Sequence, residues 1–343
     1  MTGWRDGDPA GGRKWHRGAL PGLPFRLAYE TWGEPDDDRS NAVLVLHALT
    51  GDSHVAGPAG PGHPTAGWWD GLVGPGLALD TDRWFVVAPN ALGGCQGSTG
   101  PWDTAPDGRP WGERFPAVGI RDQVRAELGL ADALGVRSWA AVVGGSMGGM
   151  RALEWAVTAP ERVRSLLVLA APAASGADQI ALASAQLHAL KLHPQEGMAV
   201  ARRIAHHGYR TAAELNARFG RSVQGDGRFA VESYLDHQAD KLAGRFDPGS
   251  YRVLTEAMNG HDVGRGRGGV RAALGAVTAR TLVAGIDTDR LYPLEQQREL
   301  AEAIPAAGDL RVVASPYGHD GFLVEEEQVA ALLGELLRVR SPR

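Results

Sequence analysis

The stretch Trp139-Ala140-Ala141-Val142-Val143-Gly144-Gly145-Ser146-Met147-Gly148-Gly149-Met150 decides the fold. An apolar, strand-like run leads into Gly-x-Ser-x-Gly, and the helical pattern Met150-Arg151-Ala152-Leu153-Glu154-Trp155-Ala156 follows. Strand, tight turn and helix form the setting in which such a serine becomes an exposed nucleophile. Glycines flank it because side chains there would collide with the neighbouring strand and helix. The helix N-terminus beneath the serine favours negative charge at the reacting centre. A glycine-rich turn whose serine only caps a helix would share the motif, but not the strand leading into it.

A nucleophile on this kind of turn requires an acid and then a histidine further along the chain. After Asp289 the chain contains one histidine, His319, just past the strand-like run Leu310-Arg311-Val312-Val313-Ala314. The acid is expected to close the earlier strand Thr281-Leu282-Val283-Ala284-Gly285-Ile286, where Asp287 and Asp289 both stand. Asp287 suits a local turn cap. Asp289, deeper in the loop, is the preferred acid. The oxyanion donors are expected at the N–H groups of Met147 and of Leu49, in the loop after Ala42-Val43-Leu44-Val45-Leu46.

Four segments now carry a specific resemblance: His47-Ala48-Leu49-Thr50-Gly51, Asn90-Ala91-Leu92-Gly93-Gly94-Cys95-Gln96-Gly97-Ser98-Thr99-Gly100-Pro101, Gly144-Gly145-Ser146-Met147-Gly148-Gly149-Met150 and Gly318-His319-Asp320-Gly321-Phe322-Leu323. In this order, from about Tyr29 to about Leu337, they resemble the homoserine O-acetyltransferases, α/β-hydrolase-fold acyltransferases of methionine biosynthesis. The resemblance implies acetyl transfer from acetyl-CoA, a co-substrate rather than a resident cofactor, through an acyl-serine to the hydroxyl of L-homoserine. It points to Asp289 as the triad acid and implies a homodimer. Two positions depart from the family: Arg151 replaces its usual glutamine, and the stretch between Leu192 and Gly197 is short. Both are expected near the substrate passage. Succinyl transfer, acylation of serine, plain ester hydrolysis and an idle interaction module remain as alternatives.

An amino-acid acceptor needs a cation for its carboxylate and an anion for its ammonium. On a helix through Met198-Ala199-Val200-Ala201-Arg202-Arg203-Ile204-Ala205, Arg202 lies at the edge of the apolar arc and Arg203 points more to the polar side. Arg202 is therefore the expected carboxylate anchor, and the family places its substrate arginine on the matching helix. Asp320 suits the ammonium, the role its family counterpart plays. A surface arginine packing its stem and a turn-forming aspartate are the plainer readings of these two residues.

Around these residues the chain divides into three parts: core 1–171, helical lid insertion 172–270 and core 271–343. Aliphatic runs at 42–46, 84–88, 139–143 and 165–170 read as buried parallel strands. Between Pro172 and Val270 helical patterns take over, at 178–192, 197–207, 211–219, 227–245 and 250–259. The expected architecture is an α/β-hydrolase fold, a mostly parallel sheet with an inserted helical lid.

Composition narrows the function further. With 43% hydrophobic residues in 343, the chain can bury a large core, and a formal charge of -5 argues against nucleic acid or an anionic membrane as main partner. The single cysteine, Cys95, excludes an intrachain disulfide. With no apolar signal core near Met1 and no run of membrane-spanning length, a cytoplasmic location is expected. Cys95 has no base placed for it and reads as a small buried residue. Gly264-Arg265-Gly266-Arg267-Gly268-Gly269 matches a dinucleotide fingerprint, but no strand runs into it. It reads as a flexible linker with solvated arginines. His206-His207 is a lone pair without metal-ligand spacing, and no metal is expected.

Overall fold

The computed structural model describes residues 3–338. Strand β1 (Lys14–Leu20) and β2 (Leu23–Trp32) form an antiparallel hairpin, followed by β3 (Ala42–Leu46), β4 (Phe85–Pro89), β5 (Ala141–Gly145), β6 (Ser165–Leu169), β7 (Arg280–Ile286) and β8 (Arg311–Val313). They make one sheet in the order β1-β2-β4-β3-β5-β6-β7-β8. Antiparallel pairing ends at the β2–β4 ladder; from β4 to β8 every pairing is parallel. Strands β3, β4 and β5 are buried along their whole length, which is why they read as unbroken aliphatic runs.

The first two strands carry a different pattern. In β2, Leu23, Phe25 and Leu27 are buried while Pro24 is exposed and Arg26 half-buried, the period-two signature of a sheet face covered on one side. The hairpin turns at Pro21-Gly22, where Gly22 has a φ of +73°. A Pro-Gly turn between two alternating runs is a readable hairpin signal, which the aliphatic-run criterion passed over.

Helices α1 (Ile120–Ala133) and α2 (Met147–Thr158) pack on the sheet. Between β6 and β7 come α3 (Ala177–Leu192), α4 (Pro194–Tyr209), α5 (Ala212–Phe219), α6 (Ala230–Ala243), α7 (Pro248–Asn259) and α8 (Val270–Gly275), and no strand of the main sheet falls there among the described residues. The two ends of this helical run are stitched together. Ser175 N–H donates to His261 O (3.0 Å) and Val263 N–H to Ala173 O (3.0 Å), so the chain leaves and rejoins the sheet at one place. Helix α9 (Leu294–Ala303) follows β7, and α10 (Gly321–Val324) and α11 (Glu326–Leu337) follow β8.

Arg151 does not line a passage. It is fully buried between α2 and α1, where its Nε donates to Glu127 Oε1 (2.9 Å) and the other Glu127 oxygen accepts from Trp155 Nε1 (2.7 Å). A buried guanidinium requires such a carboxylate, and Glu127 supplies it from a neighbouring helix that local sequence does not reveal. The 264–269 segment also differs from a solvated linker. Arg267 docks on α2 by pairing with the buried Glu154 (Nη2–Oε1 2.6 Å), which Arg121 also holds (Nε–Oε1 2.9 Å). Arg265 alone of the segment's two arginines is exposed.

Candidate active site

Ser146 stands between β5 and α2 with φ +57° and ψ −126°. For a non-glycine residue this backbone costs about 1–3 kcal/mol and persists only where its surroundings enforce it. The enforcement is steric. A Cβ at Gly148 would meet Leu46 O at 1.9 Å, and one at Gly144 would meet Gly148 O at 2.3 Å. The end of β3, the elbow and the first turn of α2 are thus in backbone contact, and Ser146 is buried there rather than exposed as the motif led one to expect.

His319 receives that hydroxyl. Its Nε2 lies 2.8 Å from Ser146 Oγ, and its Nδ1 lies 2.7 Å from Asp289 Oδ2. The other Asp289 oxygen accepts the N–H groups of Leu291 (2.8 Å) and Tyr292 (3.0 Å), which fix the carboxylate. Burial alone would lower the His319 pKa. The charge and hydrogen bond of Asp289, with the charge of Asp320, outweigh it and shift the pKa upward. Asp287 lies in the same loop but faces away from the histidine: it is exposed, and its Oδ1 accepts Ser315 N–H (2.9 Å). Of the two aspartates, only Asp289 meets the base.

Met147 opens α2, so its N–H belongs to the helix turn that has no intrahelical acceptor. Leu49 is buried three residues beyond the end of β3. Its loop is held by His47, whose Nδ1 lies 2.7 Å from Ala48 O and whose Nε2 accepts Ala91 N–H (2.9 Å). Burial, with the Arg151 charge, lowers the His47 pKa to about 3, so the ring is a neutral strut between the β3 and β4 loops.

The helical run supplies the opposite wall. Tyr209, at the end of α4, sets its ring 5.6 Å from that of His319, while Tyr292 (5.2 Å) and Phe322 (5.3 Å) flank the imidazole from the core. Arg202 projects over Tyr209 at 6.0 Å, and among the described residues it meets no carboxylate and its buried Nε has no partner. Arg203 is instead tied to Asp236 (Nε–Oδ1 3.1 Å). Asp320, beside His319, is reached by Arg210 Nη1 (3.4 Å), an arginine whose main partner is Glu214 (Nη2–Oε1 2.7 Å). The three aromatic rings and Arg210 were not singled out from sequence. Phe322 and Tyr292 lie within three residues of His319 and Asp289, a proximity that could have flagged them.

The remaining candidates separate clearly. Cys95 is buried and its thiol is pushed up to about 12, chiefly by burial, which keeps it protonated. His206 is buried and His207 exposed, so the pair does not converge. The fold does bring together a trio that sequence spacing concealed. Glu30 Oε2 lies 3.1 Å from His54 Nδ1 and 3.4 Å from His63 Nε2, all three residues buried. The two imidazoles stack at 3.7 Å with planes 10° apart, and His63 Nε2 already accepts Gly12 N–H (3.1 Å). Imidazole lone pairs lie in the ring plane, so stacked parallel rings do not aim at a common ion. The trio fits a hydrogen-bonded knot that fastens the 54–63 loop to β2.

Residues 41–326 match the family model described as the alpha/beta hydrolase fold. A homoserine O-acetyltransferase of Thermobifida fusca is 63% identical, covering 97% of this chain and 96% of the relative. The crystal structure of a homoserine O-acetyltransferase from Bacillus anthracis superimposes with a TM-score of 0.88 at 23% identity (96% of this chain, 98% of that one), a likeness of fold. An acetylester hydrolase from Corynebacterium glutamicum gives a TM-score of 0.81 at 26% identity, over 96% of each chain. The chain belongs to the homoserine O-acetyltransferase family, on the α/β-hydrolase fold.

Proposed function

We propose that the protein transfers an acetyl group from acetyl-CoA to the hydroxyl of L-homoserine through an acetyl-Ser146 intermediate. The observation that carries this reading is the unbroken line Ser146–His319–Asp289 facing an arginine, Arg202, that has no carboxylate of its own. His319 Nε2 takes the proton from Ser146 Oγ as the oxygen attacks the thioester carbonyl. The N–H groups of Leu49 and Met147 stabilise the oxyanion. The C–S bond breaks, and the CoA sulfur leaves with the proton from His319. His319 then takes the proton of the homoserine hydroxyl as its oxygen attacks the acetyl-serine; the bond from the acyl carbon to Ser146 Oγ breaks, and Oγ takes the proton back from His319, restoring the free enzyme. In this reading Arg202 grips the homoserine carboxylate, Asp320 its ammonium, and the helical run is a lid that excludes water.

The acyl group is read as acetyl from the likeness to the Thermobifida fusca homoserine O-acetyltransferase, 63% identical over nearly the whole of both chains. No prosthetic group is invoked. Among the described residues no helix is long and apolar enough to cross a membrane; a cytoplasmic homodimer completes the reading.

Free CoA release should be measured with acetyl-CoA and succinyl-CoA, each with homoserine, serine or neither. Rapid release only with acetyl-CoA plus homoserine is the expected pattern. A second reading, hydrolysis of acetyl esters, draws on the likeness to the Corynebacterium acetylester hydrolase. Release that is equally fast without any acceptor would establish it in place of transfer.

A further inference from the structure

The proposed reaction accounts for one unpaired guanidinium, and the helical run carries a second. Arg245 lies between α6 and α7. Its backbone is fixed: N–H donates to Leu242 O (3.0 Å), and its carbonyl accepts Gln96 Nε2 (2.7 Å). Its side chain, in contrast, makes no hydrogen bond and meets no carboxylate within ion-pair distance among the described residues. The charges that act on it are Asp52, too distant for contact, and the like charge of Arg202.

Its surroundings have the form of a site. Arg245 lines a cavity of about 280 Å³ with Trp4, Pro9, Gly62, His63 and Gln96. The one carboxylate in that wall, Asp8, accepts Arg5 N–H (2.7 Å). His63 is held in place by the Gly12 N–H and by stacking on His54, so this side of the cavity is fixed before any ligand arrives. The charge of Arg245 also acts on His47, the strut of the Leu49 loop. Arg245 thus belongs to the wall of a separate cavity that contains neither Ser146 nor His319, while its charge is felt at the oxyanion loop.

A guanidinium without a counter-ion beside a cavity is free to pair with an anion that a ligand brings. Homoserine brings one carboxylate, for which Arg202 is in place. The other substrate is polyanionic, with its phosphates joined to the reactive thioester by the long pantetheine arm. Resting on the proposed acetyl-CoA reaction, we infer that Arg245 is a donor-binding residue that pairs with a phosphate of the acyl donor in this cavity. The enzyme thereby distinguishes an acyl-CoA from a phosphate-free thioester, which its triad would attack equally well.

Acetyl-CoA and acetyl-pantetheine carry the same thioester, and only the first carries phosphate. Wild-type enzyme, Arg245→Gln and Arg245→Lys should be assayed with both donors at saturating homoserine, and melting temperatures should be recorded. Arg245→Gln is expected to lower kcat/KM for acetyl-CoA roughly ten- to hundredfold, mainly through KM, as loss of a charge-assisted contact requires. Acetyl-pantetheine should change by less than about twofold, and Arg245→Lys should recover part of the loss. Equal losses on both donors with an unchanged melting temperature would overturn the assignment, as would a rise confined to the homoserine KM, which would place Arg245 on the acceptor. Should Arg245→Gln fail to fold, the wild type still decides: no preference for acetyl-CoA over acetyl-pantetheine also overturns it. If wild type forms no O-acetylhomoserine from either donor, the proposed reaction itself is at fault, a result distinct from all of these.

Discussion

On the sheet side both carboxylate oxygens of Asp289 and both ring nitrogens of His319 have partners, whereas in the helical run Arg202, on α4, and Arg245, between α6 and α7, meet no carboxylate among the described residues. The first arrangement costs nothing further to assemble at the moment of reaction; its groups hold one another in place. The second leaves positive charge to be matched by whatever binds. The proposed reaction assigns chemistry to the satisfied half and recognition to the unsatisfied half. Substitutions in the two halves should therefore fail in different ways, the first in the rate of bond making and the second in substrate binding and acceptor capture.

The hardest test of the sheet side is Ser146→Ala. Loss of the nucleophile should reduce acyl transfer on the order of a million-fold and abolish the single acetyl group that intact mass should detect on the wild-type protein after acetyl-CoA alone. The fold should tolerate the change, since the hydroxyl bonds only to His319. An acetyl adduct mapped to Cys95 in either protein would remove Ser146 from its role.

Next in size is Asp289→Asn, which leaves the shape of the carboxylate but removes its charge. Comparable triads lose about 10⁴ in kcat by this exchange. The pH profile should move as well. His319 acts as a base only when neutral, and Asp289 holds its pKa above the ordinary 6.5, so wild-type activity rises with pH through a point above that value. Without the charge, burial is opposed only by Asp320, and the rising limb should shift to lower pH. A limb that stays in place would mean that His319 is not the titrating group.

Arg202→Ala probes the helical side. The acetyl-enzyme should form at nearly the wild-type rate, while its decay with homoserine slows roughly ten- to more than a hundredfold, the effect of about 1.5–3 kcal/mol for one charge-assisted contact. Single-turnover measurement of that decay separates the halves. If Arg210→Ala slows decay and Arg202→Ala does not, the carboxylate anchor belongs to the arginine that reaches Asp320.

How far these features could be read in advance follows from the range of the interactions that set them. The elbow, the two loop-borne triad members and the parallel strands depend on local signals: a glycine spacing, a strand end, an aliphatic run. The helices of the insertion were legible from their 3.6-residue periodicity, and α3 to α7 begin and end near the expected positions. What could not be read was pairing across the fold. Nothing near Arg151 announces Glu127, twenty-four residues away, and nothing near Arg267 announces Glu154. The Glu30–His54–His63 knot is assembled from a strand and a loop in the same way. Arg245 escaped notice for the converse reason: a residue marked by lacking partners cannot be recognised until every neighbour has been placed.

The smallest expected effect comes from the aspartate two residues before the triad acid, and it sharpens the contrast within the sheet side itself. Asp287 and Asp289 share a loop, and sequence alone leaves both as candidates. Asp287 is exposed and laces the β7 and β8 loops by accepting Ser315 N–H, a task Thr288 shares by accepting Gly318 N–H (3.1 Å). Removing one such contact from an exposed position should cost about 1 kcal/mol of stability, read as a modest fall in melting temperature. Asp287→Ala should leave the Asp289–His319 bond intact, so kcat should change by less than roughly tenfold and the pH limb should not move. Measured beside Asp289→Asn, the pair isolates charge at the histidine from support of the loop. A thousandfold loss of kcat in Asp287→Ala, with the melting temperature unchanged, would assign the orienting charge to the wrong residue of the two.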